Sequence, residues 1–378
     1  MTSDLRPQTS SPRPPADVFR GLHVCFIAGT LGPGGAERQL FYMLRALHAA
    51  GASLEVLSLT QGEFWEEPIR ALGVPVIWVG RRPSRLARLC RITREIARNR
   101  PDVIQSSHFY TNLYTVVAGR LLGLRDVGAV RADVFNEIKA HNPLLGRLCL
   151  GSPRWLAANS QLGLRNAAAK GVNPSRCYFL PNVVDTEHFK PAVRQQKGAT
   201  HLLFAGRLVE QKRPDLFLHV LAEARRMSPT TVHGVIVGDG PLLRPLQVRA
   251  SQLGLLPDGV EFRGAVPDMA GVYRDADIFL LTSDWEGTPN VVLEASASGL
   301  PVVVTRATGT VDIVRDGQTG YVLDRNDQHG ITSAIVRLAR DSELRYRLGK
   351  EGRLFVMQNH SLANLSERLS ALYIGVLS

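Results

Sequence analysis

The sequence predicts two α/β domains in tandem, each built on a mainly parallel, doubly wound sheet. The chain has 378 residues, short apolar runs alternate with amphipathic stretches along it, and this pattern restarts near residue 200. A chain of this length fits two domains of roughly 150–200 residues. Apolar residues make up 44% and charged residues 21%, which excludes a disordered or fibrous protein.

The first half alternates strand and helix. Leu22–Ala28 is a short apolar run that ends in a glycine-rich loop, and the amphipathic stretch Ala36–Ala50 stops at Gly51. The further strands predicted in this half are Leu54–Leu59, Val74–Val79, Asp102–Gln105, Val127–Arg131, Trp155–Asn159 and Cys177–Leu180. Strands alternating with helices are typical of a parallel sheet covered on both faces.

The second half repeats this pattern after the polar, turn-rich segment Pro181–Thr200, where we place the domain boundary. His201–Ala205 is a strand, followed by the polar loop Gly206–Pro214 and a helix from Asp215. The other elements predicted here are strands Val232–Val237, Val260–Phe262, Ile278–Thr282 and Pro301–Thr305, and a helix over Asn290–Ser298. Ligands of open parallel sheets bind beyond the carboxyl ends of the strands, so two such domains predict a cleft between them.

The composition of the tail predicts a cytoplasmic protein. Residues 1–20 are rich in Pro, Ser and Thr and lack an apolar segment, so we expect a flexible tail and no signal peptide. No run of about 18 apolar residues is present to span a membrane as a helix. The four cysteines form no CxxC pair, and we expect reduced, mostly buried thiols.

The net charge of +11 predicts an anionic partner: nucleic acid, a phosphorylated small molecule or an acidic membrane surface. Nucleic acid is the least favoured, because zinc-finger spacing, a heptad-linked basic region and RNP-like aromatics are all missing. Leu86, Leu89, Ile92 and Ile96 share one face of a predicted helix in Ser84–Arg100, and most of its arginines oppose them. Two interpretations stay open: contact with an anionic membrane, and a crossover helix with a solvated face.

Two loops that follow predicted strands have the composition of anion sites. In GTLGPGGAER, Gly34 and Gly35 precede a helix whose first amides are free to bind an anion. This loop is neither a Walker loop nor a strict GxGxxG fingerprint, and a turn without a ligand is the alternative. In GRLVEQKR, Arg207 and Lys212 can converge on a diphosphate and stabilise it as a leaving group. A solvated basic loop is the alternative there.

A carboxylate pair in EGTPNVVLE is the strongest single signal. Glu286 lies in the loop after a predicted strand, Pro289 suits the first position of a helix, and Glu294 lies inside that helix. Eight helical residues span about 12 Å, close to the reach from a sugar across a diphosphate to a ribose. Carboxylates accept hydrogen bonds from hydroxyls, and the helix N-terminus between them suits phosphate. An ordinary surface Glu followed by a helix Glu is the alternative.

Weaker candidates follow strands of the first domain. His108 comes after the strand Asp102–Gln105 and can bind a hydroxyl at the cleft, although a lone His is more often structural. Arg131 and Asp133 end the next strand and are expected to face an acceptor. The Asp275-Ala-Asp277 segment looks like a DxD metal motif, but it directly precedes a buried run, so we assign it to a strand edge and predict no metal.

Five segments occur in an order that resembles one known family: GPGGAER, NVVDTEHF, GRLVEQK, VGDGP and EGTPNVVLEASASGLPVV. Together they resemble the retaining, nucleotide-sugar-dependent glycosyltransferases of family 4, which have the GT-B fold. The resemblance runs from about Gly21 to about Leu354. Each motif is weak alone, but the ordered set is specific.

The resemblance implies two Rossmann-like domains: an acceptor domain at 21–180 and a donor domain at 201–354, joined by a linker at 181–200. Residues 355–378 are implied to cross back onto the first domain as a helix. The implied reaction keeps the anomeric configuration by front-face displacement, in which the leaving diphosphate helps to deprotonate the acceptor hydroxyl. No metal or other cofactor is implied, since the nucleotide-sugar is a substrate.

The resemblance also implies site residues. The residues implied around the transferred sugar and its diphosphate are Glu286, Arg207, Lys212 and His108. The residues implied to bind the donor are Gly34, Gly35, Arg207, Lys212, Gly240, Asn290, Val291 and Glu294, the last on the ribose. The chain departs from the family at Asp312, where many relatives have Glu in a GGxxE segment, and at Pro289, where many have Gly.

The first hypothesis is a retaining glycosyltransferase of the cytoplasm or the inner membrane face. It uses a UDP-sugar, or alternatively a GDP-sugar, and a glycan or lipid-linked acceptor. A UDP-sugar epimerase of the same fold is a second hypothesis, because fold does not determine function. The third is a non-catalytic nucleotide-sugar-binding partner of another transferase, for which the departures at Pro289 and Asp312 are the only support.

Overall fold

The computed structural model describes residues 18–81, 84–140, 142–192, 198–228 and 231–378. Most of the tail predicted for residues 1–20, and residues 193–197 of the predicted linker, lie outside the described residues. The rest of the chain forms two sheets, each covered by helices on both faces.

The first sheet is parallel throughout, as the alternating pattern predicts. Its strands are β1 (His23–Ala28), β2 (Ser53–Ser58), β3 (Val76–Trp78), β4 (Val103–Ser106), β5 (Arg125–Val130), β6 (Trp155–Ala158) and β7 (Cys177–Phe179). They lie in the order β3-β2-β1-β4-β5-β6-β7. The order reverses beside β1, and a ligand crevice forms at such a point in open sheets.

Helices cover both faces of this sheet. They are α1 (Gly35–Ala49), α2 (Glu66–Ala71), α3 (Arg85–Asn99), α4 (Asn112–Leu122), α5 (Val134–Ala140), α6 (Pro143–Gly151) and α7 (Gln161–Ala169). On α1, Leu40, Leu44 and Leu47 recur at helical spacing and are fully buried against the sheet. Helix α3 buries only Ile92 and Ile96, on the opposite face.

The second sheet repeats the strand order of the first. Its strands are β8 (Thr200–Ala205), β9 (Val232–Val237), β10 (Val260–Phe262), β11 (Ile278–Leu281), β12 (Val302–Thr305) and β13 (Gly320–Leu323), in the order β10-β9-β8-β11-β12-β13. The helices of this half are α8 (Pro214–Met227), α9 (Leu243–Gln252), α10 (Met269–Asp275), α11 (Asn290–Ala297), α12 (Thr310–Ile313), α13 (Gln328–Arg340) and α14 (Ser342–Asn359). The sequence pattern missed β13, which is short and begins with a glycine.

The last helix, α15 (Leu365–Leu377), packs on the first domain. Leu369, Leu372 and Tyr373 are buried in the core that α1 and β1 share. Helix α14 still belongs to the second domain, so the expected boundary between residues 354 and 355 falls inside it. The chain crosses between the domains only after α14 has ended.

The two crossings between the domains lie side by side. The Val184 amide donates to the His360 carbonyl at 2.8 Å, and the Leu362 amide donates to the Val184 carbonyl at 3.0 Å. The buried His360 ring places Nδ1 2.9 Å from the Asn182 carbonyl. Burial lowers the pKa of His360 to about 4, so the ring is neutral near pH 7 and Nδ1 carries the donated proton.

Candidate active site

The carboxyl ends of the neighbouring strands β8 and β11 bring two predicted loops together. Gln211 Nε2 donates a 2.9 Å hydrogen bond to the Trp285 carbonyl, and the Asp284 amide donates one of 2.9 Å to the Gln211 carbonyl. Thr282 Oγ1 donates to the Lys212 carbonyl at 2.8 Å. These bonds hold the loop after β8 against the loop after β11.

Lys212 and Glu286 form an ion pair where these loops meet. Lys212 ends a short 3₁₀ turn, Glu210–Lys212, and its Nζ contacts Oε1 of Glu286. The side chains are 15% and 8% exposed, so both charges are largely shielded from water. Arg213 then turns the chain into α8 through a left-handed conformation with φ of 45°. A cation and a carboxylate thus lie together at the edge where ligands of such sheets bind.

Arg207 lies in the loop after β8 but is not part of this ion pair. Its side chain is exposed and makes no hydrogen bond or ion pair with the part of the chain that the structure describes. Gly240, in the loop after β9, packs against the same loop: a Cβ there would lie 2.5 Å from the Leu208 carbonyl. Its amide donates to Asp239 Oδ1 at 2.7 Å. Of the two cations expected to converge on a diphosphate, one is paired and one is exposed.

Glu294, in the second turn of α11, is 2% exposed and has a partner on each oxygen. Oε1 contacts Nη1 of Arg38, which comes from the first domain, and Oε2 accepts a 3.0 Å hydrogen bond from the Tyr273 hydroxyl. Burial raises the pKa of Glu294, although the charge of Arg38 and the Tyr273 hydrogen bond both act in the opposite direction. This carboxylate is therefore held by both domains at once.

The first turn of α11 lies against the first turn of α1. Asn290 Nδ2 donates to the Gly35 carbonyl at 3.0 Å, and Asn290 Oδ1 accepts from Asn182 Nδ2 at 2.8 Å. The side chain of Asn290 thus serves the interface between the domains. The amides of Asn290 and Val291, at the start of the helix, have no intrahelical acceptor.

In the first domain, Glu37 and His108 form a polar contact beside the glycine loop. The Gly29 amide donates to His108 Nδ1 at 3.1 Å, so the proton lies on Nε2, which donates to Glu37 Oε1 at 2.9 Å. Gly34 caps α1, and a Cβ there would lie 2.1 Å from Glu37 Oε2. The Glu37 carboxylate therefore covers the helix start that was expected to meet a diphosphate.

Arg131 does not face the cleft, contrary to expectation. Its guanidinium turns into the first domain, with Nη1 3.4 Å from the Leu180 carbonyl and Nη2 3.7 Å from Met43 Sδ. Burial lowers its pKa to about 10, and nearby Tyr373 of α15 acts in the opposite direction. Asp133 is also engaged: Oδ1 accepts from the Asn136 amide at 3.0 Å, and Oδ2 accepts from Thr308 Oγ1 at 2.6 Å.

The departure at Asp312 makes a contact between the domains. Its Oδ2 accepts a 2.7 Å hydrogen bond from the Gln161 amide, at the start of α7 in the first domain. Burial raises the pKa of Asp312, and the amide hydrogen bonds oppose this rise. The shorter side chain thus has a partner of its own, on a helix terminus that attracts negative charge.

Asp277 of the DxD segment lies at a strand edge. Its Oδ2 accepts from the His201 amide at 2.9 Å, as Asp102 Oδ2 accepts from the His23 amide at 2.9 Å in the first domain. In both sheets, therefore, an Asp carboxylate just before the fourth strand accepts a hydrogen bond from a backbone amide of the first strand. Within the described ranges, no three His, Cys, Asp or Glu side chains lie close enough together to hold a metal ion.

Four residues of the site were missed from the sequence: Glu37, Arg38, Asn182 and Tyr273. Their partners lie from 21 positions away in the chain, for Tyr273 and Glu294, to 256 positions away, for Arg38 and Glu294. The available signal was that Glu37 and Arg38 close the segment GPGGAER and Asn182 opens the segment NVVDTEHF.

Comparisons with known proteins match both halves of the chain. Residues 33–188 match the family described as Glycosyltransferase Family 4, and residues 199–341 match Glycosyl transferases group 1. Anabaena HepE, solved in complex with UDP and glucose, superimposes with a TM-score of 0.81 at 18% identity, over 92% of this chain and 98% of that one. At this identity the likeness shows the fold, and it confirms the predicted pair of Rossmann-like domains of the GT-B type.

Two curated relatives are similar over part of their length. The GDP-mannose-dependent alpha-(1-6)-phosphatidylinositol monomannoside mannosyltransferase of Mycolicibacterium smegmatis is 34% identical over 56% of this chain and 60% of that protein. The UDP-Gal:alpha-D-GlcNAc-diphosphoundecaprenol alpha-1,3-galactosyltransferase of Escherichia coli is 28% identical over 54% of this chain and 56% of that protein. The matched part of the chain thus spans about three fifths of the length of these relatives.

Proposed function

Because the chain belongs to the glycosyltransferases of group 1 and family 4, we propose that it moves a hexosyl group from a nucleoside diphosphate to an acceptor hydroxyl, with retention of configuration. The observation that carries this proposal is the shielded pair of Lys212 and Glu286 beside the start of α11. A cation and free helix amides suit a diphosphate, and a carboxylate suits sugar hydroxyls.

In this mechanism the chain mainly stabilises the leaving diphosphate. Lys212 leaves Glu286 in part to meet the phosphate oxygens, Arg207 adds a second charge from the exposed loop, and the α11 amides donate to the same group. Glu286 then accepts hydrogen bonds from the transferred sugar, and Glu294 accepts them from the ribose. The acceptor oxygen attacks the anomeric carbon from the face of the sugar that the diphosphate leaves. The leaving phosphate oxygen takes the proton of the acceptor hydroxyl. These positive charges come from the chain itself, so we propose transfer without a resident metal.

We propose a UDP-sugar as the first donor to test and a GDP-sugar as the alternative. One curated relative is named for UDP-galactose and the other for GDP-mannose, and both are named for lipid-linked acceptors. For this chain the acceptor class proposed is therefore a glycan or a lipid-linked glycan, in polysaccharide or glycoconjugate synthesis. Transfer in the presence of excess EDTA is expected to continue, and its loss would contradict metal-free transfer.

Peripheral contact with the inner face of the cell membrane is a further part of the proposal. On α3, Leu86 is 73% exposed although it belongs to the predicted apolar face, and arginines occupy the other side. None of the described helices is long and apolar enough to cross a membrane. Binding to phosphatidylglycerol vesicles, weak on phosphatidylcholine and lost when Arg88 and Arg91 are replaced by Glu, is expected. Equal binding to both kinds of vesicle would contradict it.

The test of the main proposal is a thermal-shift panel of UDP, GDP, ADP and their sugars, followed by product analysis. A ligand at about 100 times its Kd stabilises the folded state by roughly 2.7 kcal/mol. Nucleotide release that requires an acceptor distinguishes transfer from epimerisation, which releases none. Binding without turnover on any acceptor would favour the non-catalytic alternative, and no response to any nucleotide would contradict a donor site.

A further inference from the structure

The first turn of α1 carries a cation into the donor side of the cleft. Arg38 is 30% exposed in its side chain, and its guanidinium reaches the nearly fully buried carboxylate of Glu294 in the other domain. The contact is supported locally, because Asn290 Nδ2 donates to the Gly35 carbonyl one turn away. The contact between the first turns of α1 and α11 thus holds Arg38 against α11.

Each oxygen of the Glu294 carboxylate has one partner in this arrangement. Tyr273 approaches one oxygen from within the second domain, and Arg38 approaches the other from the cleft side. A ribose offers a carboxylate two hydroxyl donors, which must arrive from the cleft because Tyr273 is completely buried behind Glu294. The ribose and the guanidinium therefore compete for the same side of one carboxylate.

We propose that Arg38 occupies, in the ligand-free protein, the place of the donor's ribose hydroxyls, and that its displacement sets donor affinity. The inference rests on the proposed function, since it takes Glu294 as the ribose site. A nucleotide must break the Arg38–Glu294 contact before its ribose can bind, and part of its binding free energy is used in doing so. A ligand without ribose hydroxyls leaves the contact intact.

The test compares UDP and GDP with their 2′,3′-dideoxy forms by isothermal titration calorimetry on the full chain. Arg38→Met removes the guanidinium and keeps the apolar stem, and Arg38→Lys keeps the charge but not the planar fork. Arg45→Met is the matched control, because Arg45 also lies on α1 and faces an acidic residue, Asp185, at 3.7 Å. Titrations run at about pH 8.5, because burial raises the carboxyl pKa of Glu294.

In Arg38→Met we expect the ribonucleotide to bind about fivefold or more tightly, with the dideoxy form unchanged and Arg38→Lys intermediate. Arg45→Met should match the wild type. Weaker ribonucleotide binding in Arg38→Met, or an unchanged ratio between ribo and dideoxy forms, overturns the role of Arg38 and leaves the transferase proposal standing. If Arg38→Met does not fold, as judged by its melting transition, Arg38→Lys decides by the same ratio. No nucleotide binding by any variant overturns both proposals.

Discussion

Two cation–carboxylate pairs involve α11 or the loop before it, and they differ in which domains supply their members. Lys212 and Glu286 both belong to the second domain and follow neighbouring strands, so their loops are joined by backbone hydrogen bonds. Arg38 and Glu294 come from different domains and meet across the interface between them. The first pair is therefore built into one fold and suited to the reacting group. The second depends on domain position and is suited to control of binding.

The largest effect is expected from the pair within one domain. Lys212→Met should lower kcat/KM by about 10²- to 10³-fold, mostly through kcat, because charge develops on the diphosphate only as it leaves. Lys350→Met, on the exposed face of α14, is the control and should retain full activity. Steady-state rates of nucleotide release with an acceptor measure both. Unchanged transfer in Lys212→Met would show that the pair of Lys212 and Glu286 does not act on the reacting group.

The next effect concerns the crossing that positions the two domains. His360 has a pKa of about 4 in the folded protein, against about 6.5 unfolded, so the folded state binds fewer protons. Stability should therefore fall as pH drops below about 6.5, by up to roughly 3 kcal/mol once pH nears 4.

Urea unfolding at several pH values measures this loss, and His360→Asn is the control. Asn keeps a donor for the Asn182 carbonyl and does not titrate, so the variant should lose less stability on acidification than the wild type. Equal losses in both proteins would show that other groups, and not the crossing, respond to acid.

Glu294→Gln tests the pair between the domains. It should raise the donor KM about 10- to 100-fold with a smaller change in kcat, because a ribose contact stabilises the ground and transition states alike. Glu343→Gln, on the exposed start of α14, is the control and should leave the donor KM unchanged. A selective loss of kcat instead would place Glu294 with Lys212 and Glu286 at the reacting centre, and the distinction between the pairs would disappear.

The features that the sequence predicted depend on local contacts, as the pair of Lys212 and Glu286 depends on contacts within one domain. The strands, the loop with Lys212 and the helix with Glu294 are local patterns of apolar runs, turn residues and a helix-starting proline. Both strand orders also agree with the prediction of doubly wound sheets. These features depend on neighbours in the chain, which a single sequence displays.

What the sequence did not predict depends on the packing of distant segments. Arg131 comes directly after β5, one residue beyond the end of that strand, yet its side chain turns inward between α1, α15 and the segment that follows β7. Arg38 lies beside a recognised glycine loop, but its partner comes from the other domain. Strand β13 was also missed, because it begins with a glycine, a residue that is depleted in strands. No local pattern contains this information.

The smallest effect is expected from the two side chains that cap the N-terminus of α7. Asp312 caps α7 from the second domain, at the Gln161 amide, whereas Ser160 Oγ caps it from within the first domain, 2.9 Å from the Gly163 amide. Asp312→Ala and Ser160→Ala should each cost about 1 kcal/mol of stability, as losses of helix caps do. Only Asp312→Ala also removes a hydrogen bond between the domains, so it alone should raise the donor KM, by about two- to fivefold. Equal KM values would mean that donor binding does not depend on this contact between the domains.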